Sequence, residues 1–240
     1  SLLAKIRSGE MMSRNEKFNL IIQLSIPSIL AQVTTVLMFY IDAGMVGSLG
    51  AEPSAAIGLV EPATWLFFSL VSAVTMGFSV QVAHFIGAND FAKARAVMRH
   101  GYIFGLCFAL FLLLITFLIG SRLPVWLGGG ADIQHDATVY FLIFSLIIPF
   151  HLIEYMSAAM LKVSGDMRRP SFMAILMCVL DVIFNYLFIF PTRTVSLFGV
   201  EVTMPGLGEG VAGAALGSLL SFVCVALPLA YYAIFRSPIL

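Results

Sequence analysis

The sequence predicts an all-α polytopic membrane bundle of six transmembrane helices, and three observations carry that prediction. Of 240 residues, 60% are hydrophobic and only 11% charged, with a mean hydropathy of +1.00. A soluble domain is about a quarter charged. So little charge cannot coat a globule in water, but it can coat the two faces of a membrane slab. Second, six stretches reach the roughly 20 apolar residues that a helix needs to cross the hydrocarbon core. Third, the basic residues are sorted along the chain, eleven of the 13 Lys and Arg falling on one side of the six spans.

The spans are read as 18–46, 54–86, 101–121, 137–161, 170–190 and 210–235. They must be helices, because lipid offers no partner to open backbone groups. Pro27 in the first span and Pro149 in the fourth are expected to kink their helices rather than end them. Lys5, Arg7, Arg14 and Lys17 precede the first span. Lys93, Arg95 and Arg99 follow the second, Lys162, Arg168 and Arg169 follow the fourth, and Arg236 follows the sixth. Only Arg122 and Arg193 lie on the other side. Positively charged loops stay inside, so both termini are expected in the cytoplasm of a multi-pass cell (inner) membrane protein. The organisation is then a cytoplasmic segment 1–17, a transmembrane lobe 18–236 and a cytoplasmic end 237–240.

Residues 1–17 have no cleavable apolar core and are not a signal peptide. The first residue is Ser rather than Met, and the chain stops soon after an apolar run, as expected of a processed or shortened chain. The last outer loop alternates Val195, Leu197, Val200 and Val202 around Gly199, which predicts a small extracellular β-hairpin. Cys107, Cys178 and Cys224 lie in apolar runs without metal or disulfide spacing, and are expected to be small core hydrophobes. Net charge is zero, which gives no reason to expect a nucleic-acid partner. The partners expected are membrane lipid and small molecules.

Four carboxylates fall inside spans: Asp42, Glu61, Glu154 and Asp181. A charge at mid-bilayer costs on the order of 3 kcal/mol on insertion scales, so such residues face water, a partner or a functional site. Gln32, Thr35, Phe39 and Asp42 share one helix face, read as the lining of a cavity, although Asp42 could also be solvated near the headgroups. Asp181 and Asn185 are four residues apart and project together; the competing reading is a polar clamp between helices. A carboxylate with an amide oxygen suits a hard cation such as Na⁺, and a buried acid also suits a proton carrier. Glu61, before Pro62, either attracts cationic substrates or is an interfacial acid. His151 and Glu154, three residues apart, are expected to form a structural hydrogen bond. Neither HExxH nor a nucleophile–base pair is present, so an enzyme is not expected. Gly44, Gly47 and Gly50 are read as close helix packing and a helix stop.

The first span reads LSIPSILAQVTTVLMFYIDAGMVGSLG, with Pro27, Gln32, Asp42, Val46, Gly47, Leu49 and Gly50. Gly87-Ala88-Asn89-Asp90 follows the second, LKVSGDMRRP the fourth, LDVIFNYLFIF forms the fifth, and GVAGAALGSLLS opens the sixth. In this order the segments resemble those of the multidrug and toxic compound extrusion (MATE) transporters, with Lys162 where the family has Arg. The resemblance covers nearly the whole chain but matches only the N-terminal six-helix lobe of a twelve-helix, two-lobe family. It implies a secondary active antiporter that exports amphipathic, often cationic drugs or toxins in exchange for H⁺ or Na⁺, with no cofactor and with a second lobe as partner. Asp42, Asp181, Asn185 and Ser218 would couple the ion, with Na⁺ placed at the first three. Gln32, Thr35, Phe39 and Glu61 would bind substrate. Some members carry Asn before Asp on the fifth helix, and many have Thr where this chain has Ser218, which leaves H⁺ against Na⁺ open. The alternatives are a lipid-linked oligosaccharide flippase of the same superfamily, disfavoured by the lack of Lys or Arg inside a span, or a half lobe that does not transport.

Overall fold

The computed structural model describes residue 11, residues 13–197 and residues 200–236. Most of the segment 1–17, including Lys5 and Arg7, lies outside the described residues, as do Gly199 and the end 237–240. Among the described residues, six helical spans are long and apolar enough to cross a membrane, in agreement with the sequence reading.

The first helix, α1 (Arg14–Gly47), opens earlier than its apolar stretch because Ser13 and Glu16 form a reciprocal capping box. Helix α2 (Ala51–Gly87) follows a turn in which Gly50 has φ +118°, a conformation that only glycine adopts without strain. Gly44 and Gly47 have no atom within 4 Å of where a Cβ would stand, so neither makes the close packing expected of it. Of the three, only Gly50 is required, and by its backbone angle. Helix α3 (Phe91–Gly120) begins ten residues before the expected span. The Asp90 carboxylate accepts from the Lys93 backbone N–H at 3.1 Å, capping the helix and carrying Lys93, Arg95 and Arg99 on a helical extension. The Lys93 ammonium, 2.8 Å away, holds the Asp90 carboxyl below the usual carboxylate range. A short helix α4 (Leu123–Trp126) that the sequence reading did not anticipate closes the α3 end.

The fourth span is two helices, α5 (Gln134–Ser145) and α6 (Ile147–Val163), separated at Leu146. Pro149 has no N–H for the Ser145 carbonyl, so the ladder breaks one turn before the proline. By contrast α1 runs through Pro27 and α2 through Pro62 without a break. Helix α7 (Arg168–Ile189) follows a turn in which Gly165 has φ +91°, and Asp166, just before the N-cap Met167, accepts from the Arg169 backbone N–H. Strands β1 (Pro191–Leu197) and β2 (Val200–Leu207) pair antiparallel with Val195 opposite Val202 and Leu197 opposite Val200, the hairpin expected. Helix α8 (Gly210–Phe235) completes the bundle and runs through Pro228.

The core has two parts. One joins α2, α3, α5 and α6 through Val60, Phe67, Ala109, Leu112, Phe141 and Leu152. A second continues toward the basic end, where Lys93 and Lys162 lie, through Val82, Met98, Met156 and Met160. Helix α8 is central and buries eleven described residues, whereas α1 buries only Leu20 and Met38 and packs along α7. Of the cysteines only Cys178 is buried; Cys107 and Cys224 are exposed. Those two are corrected from core to outer surface, a surface that in a membrane protein is itself apolar.

Candidate functional site

Between the α2–α6 core and the α1–α7 pair lies a cavity of about 780 Å³. All eight residues singled out in the sequence line it: Gln32, Thr35, Phe39 and Asp42 from α1, Glu61 from α2, Asp181 and Asn185 from α7, and Ser218 from α8. The α1 stripe therefore faces inward as its helical spacing requires.

The acids of α1 and α7 meet. One nitrogen, Asn185 Nδ2, donates to Asp42 Oδ1 at 3.0 Å and to Asp181 Oδ2 at 3.0 Å, which sets the two carboxylates side by side. Asp181 is 1% exposed and Asn185 2%. The other oxygen of Asp181 accepts from Ser221 Oγ at 3.1 Å. The Ser218 carbonyl, 2.8 Å from the same hydroxyl, is a second acceptor competing for its one proton. Ser221 was missed in the sequence. Its signal was present, since Ser218 and Ser221 share a helix face three residues apart. Asn185 Oδ1 is buried with no hydrogen-bond partner among the described residues. Beside it runs the backbone of α8, admitted by Gly217. Two carboxylates side by side in an apolar wall repel each other when both are ionised, and a bound cation removes that repulsion. No group of three or more His, Cys, Asp or Glu that could hold a metal is found among the described residues.

Glu61 accepts from the Trp65 indole N–H at 3.3 Å, and Phe39 packs against the same indole with ring centroids 5.3 Å apart. This ties an acid and two aromatic rings into one patch of the wall. The expected His151–Glu154 hydrogen bond is absent; both imidazole nitrogens are buried without a partner among the described residues. The imidazole is instead held by aromatic packing: it lies flat on Phe68, with centroids 4.4 Å apart and planes inclined by 18°.

The MatE family model matches residues 27–187, the stretch that supplies every wall of this cavity except α8. This chain belongs to the MatE family. It is 25% identical over 215 residues to a Neisseria meningitidis protein named "Probable multidrug resistance protein NorM", an alignment spanning 88% of this chain and 44% of that one. The protein of the same name from Thermotoga maritima is 25% identical over 202 residues, 84% of this chain and 41% of that one. Among solved structures, the outward-facing conformation of a multidrug resistance MATE family transporter of the MOP superfamily superposes with a TM-score of 0.79 at 25% identity. That match covers 90% of this chain and 45% of the solved one. The chain thus spans less than half the length of these relatives. As in other MatE members, which are multi-pass membrane transporters, its six apolar helices form one lobe.

Proposed function

We propose that this MatE chain forms one lobe of a secondary active antiporter, which exports amphipathic, often cationic drugs or toxins in exchange for H⁺ or Na⁺. The observation that carries the reading is the Asp42–Asn185–Asp181 arrangement on the wall of a cavity large enough for a drug-sized molecule. The oxygens that accept from Asn185 are also those that would receive a proton or Na⁺. Ion and cationic cargo therefore compete for the same negative charge, and exchange follows from that competition. Aromatic rings supply non-directional contact area, which suits cargo of varied shape. A second lobe facing the cavity would enclose it, and rocking of the lobes would give alternating access. Nothing in this cycle requires bond chemistry on the cargo. In proteoliposomes holding the full-length protein, ethidium efflux is expected when an inward pH or Na⁺ gradient is imposed. The gradient that drives it identifies the ion, and efflux indifferent to both gradients would refute antiport.

The same reading places Arg95 and Arg168 in the cytoplasm and Arg193 outside the cell. All three side chains are exposed. In a variant with the three native cysteines removed, a cysteine at Arg193 is expected to react with a membrane-impermeant maleimide in intact cells. Cysteines at Arg95 and Arg168 should react only after lysis. The reverse pattern would invert the topology.

A further inference from the structure

One wall of the cavity is built from stacked rings that start at Tyr140, close to Glu61, Asp42 and Asp181, and run toward the basic end of the bundle. Tyr140 stacks on Phe144 with centroids 5.3 Å apart and planes inclined by 21°. Phe144 stacks on Phe68 at 5.6 Å and 24°, and Phe68 on His151 at 4.4 Å and 18°. Phe222 closes the far side edge-on, at 5.8 Å and 82° to the imidazole. All five rings line the cavity. The ladder ends at an acid. Glu154, one turn beyond His151 on α6, lines the same cavity, with Lys162 acting on it electrostatically. It stands nine residues from the Val163 end of α6, or about 14 Å by helical rise, whereas Asp42 stands near the opposite end, five residues from Gly47. The two acidic positions therefore occupy different depths of one cavity.

A buried imidazole with neither nitrogen hydrogen-bonded is rare in a folded protein. Its flat faces are occupied by aromatic packing, so its edge is what it can offer to a ligand. Glu154 stands outside the Asn185–Ser221 network that holds Asp42 and Asp181, and the charge that acts on it is Lys162, two turns along α6. An inorganic cation would want more oxygen ligands than one carboxylate supplies. An anion would meet Glu154 before Lys162, which lies two turns further along α6 in its last turn. A cation carried on a planar aromatic frame satisfies both parts at once: its apolar rings pack against the aromatic wall, and the Glu154 carboxylate supplies the counter-charge.

The geometry points to a second cargo subsite at His151 and Glu154, which binds the charged end of a planar aromatic cation whose ring system lies along the Phe144–Phe68–His151 ladder. This rests on the export reading above and specifies where in the cavity such cargo sits after leaving, or before reaching, the paired aspartates.

The test is equilibrium binding to the full chain in detergent, read by fluorescence titration with two probes: ethidium, a planar cation, and pyrene, a planar neutral aromatic. Glu154→Gln is expected to weaken ethidium about tenfold and leave pyrene within about twofold, because only the counter-charge is lost. His151→Phe keeps the stacked ring and removes the nitrogens, and should weaken ethidium about threefold with pyrene unchanged. If both variants bind ethidium as the parent does, or lose ethidium and pyrene in parallel, the subsite is refuted. If the parent binds ethidium and only Asp42→Asn weakens it, the subsite fails while the export reading stands. If the parent binds no ethidium, both fall.

Discussion

Replacing Asp181 by Asn is expected to reduce ion-driven efflux by the full-length protein to the level of empty liposomes, while expression and the melting temperature in detergent stay at or above those of the parent. The two halves of this result have separate causes. Asp181 is 1% exposed and accepts from Asn185 and Ser221. Asn is nearly isosteric, and its Oδ1 can still accept one of those bonds, so packing survives. What disappears is the negative charge that proton or Na⁺ would neutralise. Removing a charge from the interior of an apolar bundle lowers the cost of inserting and folding it, so stability should not fall. Asp42→Asn should act in the same direction but less completely, because Asp42 is less buried than Asp181. The decisive measurement is efflux under an imposed gradient, with circular dichroism and melting as controls. Efflux at the parental rate from both variants would make the pair structural and move coupling elsewhere.

What the sequence disclosed and what it withheld divide along a physical line. Span number and identity were legible because they depend on local quantities: apolar length, and the demand that backbone groups be satisfied within the helix. The inward α1 face was legible for a similar reason, since Gln32, Thr35, Phe39 and Asp42 obey helical spacing whatever the neighbours are. The α3 start was misjudged because hydropathy marks where the lipid begins, while Asp90 marks where the helix begins. The meeting of Asp42 with Asp181 joins residues 139 positions apart in α1 and α7, and no local pattern could place one amide between them. The error over His151 has the same origin. Its partner three residues along α6 was visible, but the Phe68 ring that captures it comes from α2. Gly44 and Gly47 show the converse failure. A small-residue pattern suggested close packing on α1, yet the tight approach in this lobe is made by α8 on α7.

That approach is expected to make Gly217 one of the least substitutable positions in the lobe. A Cβ on Gly217 would collide with Asn185 Oδ1 and would stand 2.8 Å from the Asn185 backbone nitrogen and 3.0 Å from its Cα. Two of these three atoms are backbone of α7, so no rotamer change relieves the contact; the helices must separate. Overpacking of this kind costs about 1–3 kcal/mol even where neighbours can shift, and here the shift also drags the amide that holds both acids. Gly217→Ala should therefore lower the melting temperature of the detergent-solubilised protein and, independently, disturb the Asn185 bonds on which the proposed coupling depends. Gly77→Ala is the matched control: it lies exposed on α2 with no atom within 4 Å of the added methyl, and alanine favours a helix over glycine by up to about 1 kcal/mol. Its melting temperature should equal or exceed the parent's. If Gly217→Ala melts with Gly77→Ala, α8 and α7 are not packed at the distance described, and the burial of Asn185 against the α8 backbone would have to be abandoned as the feature that orients its amide toward Asp42 and Asp181.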